Sequence, residues 1–472
     1  VTPGQPLRLD ARREEVLRHV GGLVAGAWLS FDAARPQEPP IDDALRALLA
    51  GGLPEEPTPV VQALNEAATI LDESLAQTRP RWFGFIGSSG LEVGVVADLL
   101  ASTFDVNLAG NAHAATEVER QALEWLAAFL GYPSAAGTCT SGGMLSNLTA
   151  LAAARERALP GSRETGLGGR QLAVYCSSEA HYSVTRAAEL LGLGARAVRA
   201  LPIDERRHVV PAQVAAAIEA DLAAGVLPVA VVGSAGTTLT GAIDPLDELA
   251  DVCAAYGVWL HVDGAYGLPA AAAPSAADRF KGLERADSLS VDAHKWLYLP
   301  KACGVVLVRD EEALSAAFAH SESYLLHEEG ELHACDTTLE YSRPFRALKL
   351  WLAFRTHGAA EFRAALERNL AQARLLAEEV RRYPDLELLV EPELSIVPFR
   401  HVPPGVRDLD GHNLRLASAL QEDGRVFVAA ATVDGRTCLR PCIVNFRTSD
   451  DDVCALVAVT REIGARIAPA AA

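Results

Sequence analysis

Between Gly137 and Val308 the chain alternates short apolar runs, rich in valine and bounded by glycine or polar residues, with alanine-rich stretches of helical period. Runs at residues 171–176, 197–202, 229–233, 258–262, 288–291 and 304–308 read as strands. Strand and helix repeated in this order imply a mostly parallel central sheet with helices on its faces, an α/β architecture. Such sheets gather ligand-contacting groups at the carboxyl ends of their strands. The residues that follow each run are therefore where chemistry is to be sought.

Two of those strand ends stand out. Residues 290–304 read Ser-Val-Asp-Ala-His-Lys-Trp-Leu-Tyr-Leu-Pro-Lys-Ala-Cys-Gly, and Lys295 is expected on a short loop between two strands. Held by His294 and Trp296 in a largely apolar setting, it is expected to be partly desolvated, which favours the neutral amine that condenses with an aldehyde. Lys281, Lys301 and Lys349 are the chain's other lysines, and none has this context. Upstream, residues 258–267 read Val-Trp-Leu-His-Val-Asp-Gly-Ala-Tyr-Gly, a buried strand ending in Asp263. A carboxylate there suits the pyridine nitrogen of pyridoxal 5'-phosphate, whose protonated ring is an electron sink for a carbanion. Alone, His-Lys-Trp is as consistent with an ordinary loop, and Asp263 with a strand-end turn. Together they supply the two groups which that cofactor requires.

Four further features extend the set. They are Thr-Ser-Gly-Gly-Met-Leu-Ser-Asn at 140–147, Glu-Ala-His-Tyr-Ser-Val at 179–184, Ser-Arg-Pro-Phe-Arg-Ala-Leu-Lys-Leu-Trp at 342–351 and Leu-Arg-Pro-Cys-Ile-Val-Asn-Phe-Arg-Thr at 439–448. In order and spacing the segments resemble the pyridoxal-phosphate-dependent amino-acid decarboxylases of the aromatic-amino-acid and glutamate decarboxylase group, over most of the chain from about Arg79 onward. The resemblance implies fold type I: a mostly parallel sheet, an N-terminal helical arm and a small α+β C-terminal domain. It implies conversion of an L-amino acid to its amine and CO₂. It assigns catalytic roles to Lys295, His181, Asp263 and Tyr324, the last on a closing loop with His327 as the fallback acid. Gly142, Gly143, Met144, Thr238, Ala265 and His294 are the remaining expected cofactor contacts. The glycine turn into an alanine-rich helix is also, on physical grounds, a phosphate cradle of N–H groups and helix dipole. Asp292 is left out of the site, because an acid beside a phosphate is unfavourable. Phe85 and Ile86 match the positions that line the substrate pocket, and lean toward an aromatic or other apolar side chain. Left open are an aldehyde synthase or carbon–carbon lyase on the same fold, and a noncatalytic cofactor-binding or scaffold protein.

The rest of the chain bounds these readings. With 472 residues there is room for an arm at 1–85, a large domain at 86–355 and a small one at 356–472. A net charge of −19 argues against nucleic-acid and anionic-membrane partners, and no apolar run reaches a membrane span. The eight cysteines are scattered without metal-ligand spacing, so no metal is expected and a reducing, cytoplasmic setting is. Near the start, a helix capped by Asp10 and running to Leu29, a second opened by Asp42 and a third over 60–76 carry apolar stripes they cannot bury alone. Relatives by resemblance wrap such arms around a second subunit, so a homodimer with shared active sites is expected.

Overall fold

The computed structural model describes residues 9, 12–33, 41–75, 77–87, 89–133, 136–320 and 334–468. Its N-terminal helices are α1 (Arg13–Phe31), α2 (Asp43–Leu49) and α3 (Val60–Asp72). Asp42 caps α2 by accepting the Leu45 N–H at 2.7 Å. Asp10 lies outside the described residues, and Arg12 is the N-cap of α1. α4 (Glu92–Phe104) and α5 (Ala114–Leu130) follow. Thr116 lies inside the first turn of α5 and accepts the Ala112 N–H at 2.9 Å.

The sheet region then runs β1 (Ala136–Thr140), α6 (Gly143–Ala158), α7 (Ser162–Thr165), β2 (Leu172–Ser177), α8 (Ser183–Leu190), β3 (Val198–Leu201), α9 (Pro211–Ala223), β4 (Leu227–Ser234), α10 (Leu246–Tyr256) and β5 (Trp259–Asp263). It continues through β6 (Ser288–Asp292), α11 (Ala293–Trp296), β7 (Gly304–Val308) and α12 (Glu312–Phe318). Strand order is β1-β7-β6-β5-β4-β2-β3. β3, β2, β4, β5 and β6 run parallel, whereas β7 is antiparallel to both β6 and β1. Apolar residues on both faces bury the sheet on both sides. In β7, Val306 and Val308 join the layer under α6, α8 and α12, while Val305 and Leu307 join the larger core on the opposite face.

α13 (Ala347–Arg381) connects to the C-terminal part and is interrupted at Gly358, whose φ of 73° and ψ of 157° no helix contains. Beyond it, β8 (Leu386–Leu388), β9 (Phe399–His401), α14 (Leu409–Asp423), β10 (Ala430–Val433), β11 (Arg436–Leu439) and α15 (Asp450–Ile467) build an antiparallel sheet of order β10-β11-β9-β8 with its own apolar cluster. From sequence the apolar runs at 426–431 and 437–445 read as strands, but β10 begins at Ala430 and β11 ends at Leu439, because the flanking apolar residues enter loops, Val426, Val428 and Ile443 packing in the C-terminal cluster and Cys442 and Val444 in the main core. Among the described residues no helix is long and apolar enough to cross a membrane.

Polar contacts fix the C-terminal part to the sheet. Asn369 of α13 accepts the Trp296 indole N–H at 3.1 Å and the Tyr298 hydroxyl at 3.0 Å. Glu393 accepts from His208 at 2.6 Å and from the Ile243 N–H at 3.2 Å. The hydrogen bond to Glu393 raises the His208 pKa above its usual 6.5, against the opposing effect of burial. That pair is complete below the unfolded value and is lost as pH rises through the folded value. His208→Gln is therefore expected to cost about 1–2 kcal/mol at pH 6. In thermal denaturation its gap to the parent should close as the pH is raised through the folded pKa. A gap that widens with pH would contradict the assignment.

Candidate active site

The parallel strands end at one level. Ser234 at the end of β4 is in register with Asp263 at the end of β5, which pairs with Ser290 of β6 two residues before Asp292. A cavity opens over these ends. Its walls include Gly143, Met144, His181, Thr238, Asp263, Ala265 and Lys295 from the expected set. Lys295 and Asp263, 32 positions apart in the chain, thus face one space.

Lys295 does not sit on a loop. α11 is a single helical turn, and it places Lys295 three residues after Asp292 on the same side. Nor is the amine in apolar surroundings: its Nζ lies 2.9 Å from Asp292 Oδ2. Asp292 is buried and its Oδ1 has no hydrogen-bond partner among the described residues. The residue that electrostatic reasoning removed from the site is therefore the lysine's ion-pair partner.

Asp263 is held from two sides. Its Oδ1 accepts the Ala265 N–H at 3.1 Å and its Oδ2 accepts the Asn147 amide at 2.8 Å. His181 Nδ1 lies 2.8 Å from Ser183 Oγ, and burial lowers the His181 pKa, Asp263 acting in the opposite sense. Across the cavity, α6 begins with the N–H groups of Gly143 and Met144, which have no acceptor among the described residues. A Cβ built on Gly143 would lie 2.8 Å from the Ala265 methyl and 3.2 Å from Asp292 Oδ2, so only glycine leaves that approach open.

Other expected residues lie elsewhere. Gly142 and His294 flank the cavity without lining it: a Cβ on Gly142 would sit 3.5 Å from His294 Cε1. His294 Nδ1 accepts the Cys303 N–H at 3.1 Å, and burial lowers its pKa. Phe85 and Ile86 do not line the cavity within one chain. Phe85 is 52% exposed and stands beside the stacked rings of Trp82 and Phe427, and Ile86 packs against the main core. Tyr324 and His327 lie outside the described residues.

Some residues were missed. Asn147, Ser183, Ser234, Tyr266 and Asp292 also line the cavity. Asn147 had a signal in the sequence, since it falls four positions after Gly143 and so on the same helical face. Arg440 is 6% exposed, and its guanidinium donates to the carbonyls of Thr238 at 2.8 Å and Phe85 at 3.4 Å. It makes no ion pair with a carboxylate among the described residues, which leaves a buried positive charge behind Thr238.

These groups fit pyridoxal phosphate: a carboxylate for the ring nitrogen, a lysine for the aldehyde carbon, and open N–H groups with a glycine cradle for the phosphate. Comparison with known proteins agrees. The family model described as the pyridoxal-dependent decarboxylase conserved domain matches residues 43–402. The aromatic-L-amino-acid decarboxylase of Bacillus atrophaeus is 34% identical over 440 residues, covering 89% of each chain. The cysteine sulfinic acid decarboxylase of Mus musculus is 31% identical over 416 residues, covering 86% of this chain and 83% of its own. The crystal structure of Oryza sativa TDC with PLP and tryptamine superposes with a TM-score of 0.91 at 27% identity, covering 98% of this chain and 99% of that one. Matched along most of its length and carrying the site such chemistry needs, the chain belongs to the pyridoxal-dependent decarboxylase family.

Proposed function

We propose that this chain decarboxylates an L-amino acid with an aromatic or other apolar side chain, giving the amine and CO₂. The observation that carries the reading is the convergence of Lys295, Asp263 and His181 on one cavity at the carboxyl ends of the strands. Bound there, pyridoxal phosphate supplies the electron sink for loss of the carboxylate. Asp263 holds a proton at the ring nitrogen, its carboxylate fixed by Asn147 and the Ala265 N–H. Lys295 would hold the cofactor's aldehyde carbon, and Asp292, 2.9 Å from its Nζ, orients the lysine side chain. Gly143 and Met144 hold the phosphate through N–H groups, and His181 bears on the ring and the substrate carboxylate. Tyr324 is assigned the return of a proton to the substrate carbon.

The aromatic preference draws on the names of the Bacillus atrophaeus and Oryza sativa relatives and on the aromatic group of Trp82, Phe85 and Phe427. Arg440 ties that group's main chain to the cavity wall at Thr238. A homodimer with shared sites belongs to the same reading. α3 has no buried residue, and Leu17, Leu29 and Leu71 are exposed on the N-terminal helices of the single chain, surface that a second copy would cover. All eight cysteines are free, which suits a reducing, cytoplasmic location.

Release of CO₂ across the L-amino acids is expected to be fastest for an aromatic one, with the amine as product. Aldehyde and ammonia would replace the decarboxylase reading by the aldehyde synthase one, and no CO₂ from any amino acid would end it. Asp263→Asn is expected to lower kcat by at least about 100-fold while the fold, checked by circular dichroism, is kept. Retention of full turnover would remove Asp263 from the mechanism.

A further inference from the structure

One chain of hydrogen bonds behind the cavity has its direction set at both ends. At the far end, the Trp259 indole N–H, which can only donate, lies 2.7 Å from Ser288 Oγ. The Ser288 hydroxyl has one other side-chain partner among the described residues, His261 Nδ1 at 2.8 Å, and that nitrogen is the acceptor within its reach. Burial pushes the His261 pKa down to about 4, so the ring is neutral near pH 7. Its one proton then sits on Nε2, 3.0 Å from Asn147 Oδ1.

The near end gives the same answer independently. The Asp263 carboxylate only accepts, so the Asn147 group 2.8 Å from it is the NH₂ and the amide oxygen faces His261. The same NH₂ donates to Ser183 Oγ at 2.8 Å. The Ser183 backbone N–H points at His181 Nδ1 at 3.3 Å and makes that nitrogen an acceptor, so the Ser183 hydroxyl, 2.8 Å from it, donates there too. His181 Nδ1 is an acceptor twice over. Its Nε2 has no partner among the described residues, and the ring lines the cavity.

We propose that Asn147 is a positioning residue which, through this directional chain, fixes the Asp263 carboxylate and keeps the His181 proton on Nε2. The proposal rests on the decarboxylase reading above and deepens it. A neutral Nε2–H can hold a substrate carboxylate by a hydrogen bond. A full positive charge there would stabilise the carboxylate more than the departing CO₂, raising the barrier instead of lowering it. His261 and Trp259, remote from the cavity, then serve to set which way the Asn147 amide faces.

Neutron diffraction from crystals of the deuterium-exchanged holoenzyme tests this directly. The expected result is a deuteron on Nε2 of both His261 and His181 and none on either Nδ1. A deuteron on Nδ1 of either ring would overturn the proposal. Asn147→Leu, which keeps the volume and removes both polar groups, is expected to lower kcat about 10- to 100-fold, with KM little changed and the bound cofactor's absorbance shifted. An unchanged spectrum and kcat in a folded Asn147→Leu holoenzyme would equally overturn it. A holoenzyme that decarboxylates no amino acid would end the functional reading, and the proton positions would still decide the chain's direction.

Discussion

The site depends on one constraint: the main-chain register of β4, β5 and β6. Backbone hydrogen bonds set Ser234 beside Asp263 and Asp263 beside Ser290, so an acid and the turn bearing a lysine emerge at the same height. A shift of one residue in β5 would turn Asp263 to the other face of the sheet. Both faces are closed by apolar layers, and so the register is fixed by burial. Chemistry at the strand ends is in this sense a by-product of packing in the middle of the strands.

Rigid support then narrows what each group can do. Trp296, next to Lys295, is buried, stacks on Tyr266 with ring centroids 5.2 Å apart, and donates to Asn369 of the connecting helix. The lysine's base is thereby immobile while its amine reaches into the cavity. Asp292 adds a second constraint, because a buried carboxylate is costly unless paired, and Lys295 is the cation 2.9 Å away. On the proposed reading, the same amine serves both an internal ion pair and the bond to the cofactor.

Much of this was legible from residue order. The strand runs were found because fully buried strands are nearly continuous apolar stretches, and Asp263 and Lys295 stood at their ends. Less legible was anything set by a one-turn helix or by contacts distant in the chain. α11 is too short to show a period, so Lys295 was expected on a loop, and Asp292, one turn earlier, was left out as an acid beside a phosphate. Arg440 approaches Thr238 across about two hundred positions, a contact no local pattern announces. Phe85 and Ile86 were placed by resemblance, and in the single chain they stand outside the cavity. Strand limits in the C-terminal part slipped because apolar loop residues, such as Cys442 and Val444, pack in the core as strand residues do.

The central claim is that Lys295, of the four lysines, carries the cofactor. Reduction of the holoenzyme with borohydride, followed by proteolysis and mass spectrometry, reads this out directly. The account predicts a single pyridoxyl phosphate adduct, on Lys295. An adduct on Lys281, Lys301 or Lys349 in its place, or none on any lysine, would contradict it.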